Sequence, residues 1–284
     1  MCKKKDEWDL EIVSKTKVFD LNLHELWQYR DLILLFVRRD LTTTYKQTLL
    51  GPLWFFIQPI LMTMMYVLIF GKIANISTGG MPKILFYLGG ITIWNYFQEC
   101  LTKTSETFIS NQNLFGKVYF PRLAAPISIV ISGLIKFGIQ FVLFLFVWLY
   151  FLNQSDEAIQ PNITIVLLPL YLLLMSGLGF SYGILISSLT TKYRDLRFLI
   201  QFGIQLLMYA TPVVYPLEIV QQKYQWIILL NPVACITEAF KYSFTGYGYF
   251  SIIYLIYSTL FMFVSLFFSI IIFNKVEKTF MDTV

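Results

Sequence analysis

An all-α membrane protein with six transmembrane helices is the fold class this sequence predicts, and three observations carry the prediction. Of its 284 residues, 57% are hydrophobic and only 14% are charged, against about 45–50% and about 25% in an ordinary soluble domain. Six stretches approach the roughly 20 apolar residues that a bilayer crossing needs. None of them alternates strictly between polar and apolar residues, which argues against an outer-membrane barrel. The mean hydropathy of +0.64 excludes a disordered chain and makes a soluble enzyme improbable. Cys2, Cys100 and Cys235 are far apart and odd in number, so no disulfide framework is implied. The single histidine, His24, leaves no multi-histidine metal centre. The first apolar run, Leu32–Val37, is too short and too late for a signal peptide.

Residues 1–52 read as a cytoplasmic tail followed by an amphipathic interfacial helix. Tyr29, Ile33, Val37, Leu41, Tyr45 and Leu49 recur every four residues and share one helical face. Arg30, Arg38, Arg39, Asp40, Lys46 and Gln47 occupy other positions, and Gly51-Pro52 ends the helix. Such a helix lies in the membrane plane with its basic residues at the lipid headgroups. Two readings stand: a plain anchor, or a receptor in which Arg38 and Arg39 attract an anionic headgroup, using the bidentate guanidinium fork.

Residues 53–273 hold the expected spans: Leu53–Ile73, Ile84–Phe108, Leu123–Leu152, Ile163–Leu189, Phe198–Tyr215 and Ile252–Phe273. With the N-terminus inside, 17 of the 22 basic residues fall in inner segments and four (Lys72, Lys83, Lys223, Lys241) in outer ones. That bias places both termini in the cytoplasm. The net charge of +5 is therefore assigned to cytoplasmic lysines and arginines and not to a nucleic-acid surface. Residues 274–284 form a short cytoplasmic tail. The outer segment Pro216–Tyr249 contains Trp226–Leu230 and Pro232 and is too apolar for a free loop. Short re-entrant or interfacial helices between spans five and six are expected there.

Two motif matches fail on inspection. Gly179-Phe180-Ser181-Tyr182-Gly183 spells the hydrolase elbow G-x-S-x-G, but it sits inside an apolar helix, and His24 is far away in sequence. Gly179, Gly183 and Ser187 are spaced by four, the pattern of close helix packing. Gly116-Lys117 resembles the end of a phosphate loop, but Asn111 stands where its first glycine belongs and Val118 replaces Ser or Thr. An ATP site of that type is absent from the sequence.

Charges at membrane depth are costly and face partners, cavities or pathways. Glu99, Lys103 and Glu106 share a face of the second span, and Lys136 lies inside the third. The simplest expectation is an i,i+4 pair between Glu99 and Lys103, with Lys136 pairing elsewhere or snorkelling. Trp54, Tyr66, Trp94, Tyr96 and Phe97 cluster in the first two spans. They read either as belt and packing residues or as stacking surfaces along a glycan path.

At this point a resemblance takes over. Arg39-Asp40-Leu41, Tyr45-Lys46-Gln47-Thr48, Leu50-Gly51-Pro52-Leu53-Trp54 and Pro59 resemble the opening of ABC-2 type polysaccharide export permeases. Phe115–Arg122 with Pro126, and Tyr193–Arg197, resemble that family's inner segments. Thr211-Pro212-Val213, Asn231-Pro232, Glu238 and Lys241 resemble its outer region, although the family often has Arg where Lys241 stands. The resemblance implies a homodimer with two separate ABC ATPase subunits, which bind ATP and Mg, and no cofactor in this chain. It implies a coupling segment (Asn111, Phe115, Lys117, Tyr119, Pro121, Arg122), an outer gate (Pro212, Asn231, Pro232, Glu238, Lys241) and no catalytic or metal-ligating residue. The implied substrate is an undecaprenyl-diphosphate-linked polysaccharide, of O-antigen, capsule or teichoic-acid type, carried across the bacterial inner membrane. The alternatives are an ABC-2 exporter of small lipids or drugs and, from another class, a membrane scaffold or enzyme subunit with no transport.

Overall fold

The structure, a computed structural model, describes residues 23–45, 50–115, 117–118, 120–154, 159–190 and 195–283. Among them every regular element is a helix. Two short N-terminal helices, α1 (Leu23–Gln28) and α2 (Arg30–Tyr45), precede the bundle. A 3₁₀ turn over Gly51–Leu53, with Gly51 at φ 50°, redirects the chain into α3 (Trp54–Tyr66), which continues as a π-helix, Val67–Ile73. Thr78–Met81 turns through Gly79 and Gly80, both at positive φ, into α4 (Lys83–Ser105). Two single-turn helices follow, α5 (Thr107–Ser110) and α6 (Gln112–Phe115). Then come α7 (Ala124–Asn153), a 3₁₀ lead-in (Ile163–Leu167) to α8 (Leu168–Thr190), and α9 (Leu196–Tyr209). After a 3₁₀ turn at Leu217–Ile219, α10 (Gln222–Leu229) and α11 (Pro232–Thr245) meet at a corner of 107°. The long α12 (Ile252–Thr283) closes the chain.

Among the described residues, four helical stretches are long and apolar enough to cross a membrane: Trp54–Ile73, Ala124–Asn153, Ile163–Thr190 and Ile252–Val276. A fifth exists if the bent α10–α11 pair counts as one. The chain is thus a multi-pass membrane protein. Two expected spans differ from the prediction in instructive ways. The second is α4, about 35 Å long at 1.5 Å per residue, but it carries too many polar residues to pass as a lipid-facing span. Packing by α3, α7, α8 and α11 encloses it, so Leu85–Trp94 is buried almost without a break. A helix walled by protein can hold polar groups that lipid would reject. The fifth, expected to run to Tyr215, ends at Tyr209 and is about 21 Å long. Thr211–Tyr215 turns back as irregular chain, mostly buried.

Close contact between α4 and α8 rests on missing side chains. A Cβ on Gly179 would lie 2.8 Å from Cys100 Cβ and 2.9 Å from the Phe97 carbonyl. One on Gly183 would lie 2.6 Å from Thr104 Cβ. The glycines of the apparent hydrolase elbow therefore let two backbones approach. Ser187, next in the series, accepts a hydrogen bond from the Phe108 amide at 3.3 Å.

The α1–α2 region packs differently from the simple four-residue stripe. Leu26, Ile33, Phe36 and Val37 are buried, while Trp27, Leu34 and Leu35 are exposed. The buried face lies on α7 and joins a small core with Phe108, Phe115, Phe120, Ala124 and Ala125. Phe36 and Phe120 meet edge to face at 5.7 Å. Protein covers the stripe expected to face the bilayer, and a second set of apolar side chains is left outside. Tyr45 and Leu49 fall outside the side chains described.

Candidate functional site

Three places gather the chemistry. At the α2 end of the bundle a cleft of about 410 Å³ opens between α2, α4, the α5 turn and α7. Its charged lining is Arg39, Asp40, Glu99, Lys103, Glu106 and Lys136, balanced in sign. Arg39 donates to Asp40 at 3.0 Å and to Asn111 Oδ1 at 3.2 Å, and its guanidinium lies 4.8 Å from the Phe36 ring centroid. Asn111 is held in turn by donating to the Thr107 carbonyl at 3.1 Å. Arg39 thus bridges the amphipathic helix to the segment after α4. Arg38, one residue earlier, points elsewhere and is exposed.

Deeper in the cleft, Lys136 of α7 forms an ion pair with Glu99 of α4. This corrects the expected Glu99–Lys103 pairing. The reason is geometric: α4 and α7 run antiparallel, and their polar residues are in register. Asn95 donates to Gln140 at 3.3 Å, Glu99 meets Lys136, and Lys103 and Ser132 line the cleft. At membrane depth the Glu99 carboxylate is paired by the ammonium of a facing helix and not by Lys103 one turn away, and Lys136 gains a partner without snorkelling. Sequence reasoning saw these charges, but spacing along one helix cannot show which residue of another helix faces them.

The expected coupling residues separate into two groups. Asn111 and Phe115 are buried, and Arg122 lies 5.7 Å from the Phe115 ring, so these hold the segment in place. Lys117 is exposed, flanked by exposed Leu114 and Val118, and Pro121 is half-buried. Tyr119 and Tyr193 lie outside the described residues.

The far end of the bundle brings all five expected outer residues together. Asn231 caps α11, accepting from the Val233 amide at 3.1 Å, with Pro232 at the first helical position. Its amide also donates to Thr211 at 3.0 Å. Lys241 pairs with Glu238 at 3.1 Å and donates to the Pro212 carbonyl. Glu238 also accepts from the Tyr249 amide at 3.3 Å. Both charged side chains are 2% exposed. Phe86 of α4, which the sequence did not single out, places its ring 3.9 Å from the Lys241 ammonium. One lysine therefore ties α11 to the end of α9 and to α4. A lysine serves here because its contacts are a carbonyl, one carboxylate oxygen and a ring face, not a bidentate carboxylate.

The candidate glycan-stacking aromatics do not share one surface. Trp94, Tyr96 and Phe97 are 1%, 3% and 0% exposed and belong to the core. Tyr66 is half-buried against Phe70 and Tyr87, and Trp54 is 46% exposed. In this conformation only the last two present ring surface outside the core.

Comparison with known proteins fits this arrangement. The chain is 28% identical over 229 residues to an O-antigen export system permease protein RfbA of Klebsiella pneumoniae, covering 79% of this chain and 85% of the relative. It is 26% identical over 221 residues to a protein of the same name from Myxococcus xanthus, covering 77% and 82%. Residues 31–245, from α2 through the end of α11 and so including all three places just described, match the family described as ABC-2 type transporter. The chain therefore belongs to the ABC-2 type transporter family, as a membrane-embedded permease.

Proposed function

We propose that this permease exports a lipid-linked polysaccharide of the O-antigen type from cytoplasm to periplasm across a bacterial inner membrane. The observation that carries the reading is that relatives aligned over 79% and 77% of the chain are named O-antigen export permeases. The carrier lipid is read as undecaprenyl diphosphate. The topology is six crossings with both termini inside, α4 crossing within the protein-lined interior, α9 crossing with most of its side chains exposed, and α10–α11 re-entering from the outer side. The working unit is a homodimer with two separate ATPase subunits, which bind ATP and Mg and supply the energy.

In this scheme Arg38 and the cleft mouth at Arg39 draw the diphosphate headgroup by bidentate, charge-assisted hydrogen bonds. The cleft's own carboxylates keep its interior neutral, so the headgroup is held at the rim. Exposed Lys117, with Leu114 and Val118, forms the surface on which the ATPase docks. Arg39, hydrogen-bonded to Asn111 at 3.2 Å, carries motion of that docked segment to α2. The glycan passes between the two protomers, where Trp54 and Tyr66 offer ring faces. The Lys241 cluster keeps the outer end shut until Pro212 and α11 separate.

The test is purification of the permease with its ATPase, followed by identification of the lipid-linked glycan that stimulates hydrolysis. An O-antigen carrier lipid is expected to stimulate. Stimulation by teichoic-acid or capsule precursors instead, or by small lipids or drugs, would reassign the substrate. The double variant Arg38→Ala, Arg39→Ala is expected to lose most export and most substrate-stimulated hydrolysis while still assembling. Unchanged export would remove the headgroup role.

A further inference from the structure

The α3 stretch carries a second feature, far from the α2 cleft. A groove of about 390 Å³ runs between the upper part of α3 with its π-helical continuation, the start of α4 and the second half of α7. Met64, Leu68 and Lys72 recur every four residues along one wall, and Ile84, Leu143 and Val147 are among the residues opposite. Met64 and Leu68 are exposed, although the stretch they belong to is apolar enough to cross a membrane. From Ile60 to Lys72 the groove is roughly 18 Å long at a helical rise, an elongated shape. Among the described residues its one charged lining residue is Lys72, at the end away from α2, and no carboxylate lines it. The neighbouring Lys83 donates to the Gly71 carbonyl at 2.6 Å, within the π-helix, and adds a second positive charge beside this end of the groove. π-Helical turns occur mostly where function has kept them.

We propose that this groove holds one anionic phospholipid of the leaflet opposite to α2, with a hydrocarbon chain along Met64, Leu68 and Val147 and its phosphodiester at Lys72. Apolar walls at membrane depth take a lipid chain without loss of hydration, and the Lys72 ammonium at the rim, with no partner among the described residues, attracts a phosphodiester. A second copy of the chain would need to bring a carboxylate to Lys72. On that side of the described chain Glu238 is committed to Lys241, whereas Glu218 is exposed, so a second copy's Glu218 is the competing occupant that the cross-linking below tests.

The complex purified with its ATPase is reconstituted with phosphatidylglycerol or with phosphatidylcholine, and retained lipid is counted by native mass spectrometry. Wild type is expected to retain about one phosphatidylglycerol per protomer. Lys72→Gln should lower phosphatidylglycerol retention about fivefold, leave phosphatidylcholine unchanged, and be rescued by Lys72→Arg. Leu68→Trp, which fills the groove, should reduce retention of both lipids. Equal phosphatidylglycerol retention in wild type and Lys72→Gln would overturn the proposal. So would efficient disulfide cross-linking of a Met64→Cys variant between two copies, since that places protein in the groove. Neither result depends on which glycan stimulates hydrolysis.

Discussion

Lys136 and Glu99 sit where an unpaired charge is most expensive, and their contact fixes how α4 and α7 slide on one another. Removing one partner leaves the other buried without compensation, which costs about 3–5 kcal/mol in a fully dry site. Glu99 keeps some exposure, with 24% of its side chain accessible, so Glu99→Ala is expected to cost about 2 kcal/mol. Replacing both residues by Met should restore much of that loss, read as the unfolding midpoint of the purified protein. A double variant no more stable than Glu99→Ala would show that the pair does more than neutralise itself. The sequence exposed these two charges as out of place, and their depth was legible. Their pairing was not, since it follows from antiparallel register between helices 37 residues apart in sequence. The Lys241 cluster divides in the same way. Pro212, Asn231, Pro232, Glu238 and Lys241 were legible through resemblance to a family, whereas Phe86 looked like any apolar residue of a span until Lys241 was placed beside it.

Element by element, the glycine spacing of α8 is the clearest case of pattern becoming contact. Gly179 and Gly183 have no room for a side chain against α4. Gly179→Val is expected to push the two helices apart at a cost of about 1–3 kcal/mol and to lower the amount of folded protein in the membrane, whereas Gly138→Ala, which meets nothing within 4 Å, should be silent. Fluorescence-detected size-exclusion profiles of the two variants check this, and equal profiles would count against the packing role. The amphipathic helix shows where pattern misleads. A four-residue repeat says that a face is apolar, but not whether lipid or protein covers it, and here α7 does. The fifth span shows a second limit. Apolar composition continues through Val213 and Val214, but Pro212 ends helical hydrogen bonding, so hydropathy overruns the helix.

On the scale of the whole molecule, the two ends of the bundle are built for different tasks. The α2 end is open and polar, with an exposed Lys117 tip. The far end is sealed by one buried lysine and an angled helix pair. Lys117→Glu is expected to weaken ATPase association or uncouple hydrolysis from transport, measured by co-purification and by export per ATP. Full coupling in that variant would move the docking surface elsewhere. The proposed topology has its own check. A cysteine at Lys117 should react with a membrane-impermeant maleimide only from the cytoplasmic side, and one at Glu218 only from outside. Reaction of both from one side would refute the six-crossing arrangement.

The enclosure of α4 also bears on how the chain reaches its membrane. A segment with Lys83, Asn95, Gln98, Glu99 and Lys103 partitions poorly into lipid by itself. Asn95 and Glu99 find their partners, Gln140 and Lys136, only after α7 has emerged from the ribosome, and the α8 wall comes later still. Insertion is therefore a collective event: the middle of the protein is held in place by segments made after it, and defects in α7 or α8 should strand α4 outside the bilayer.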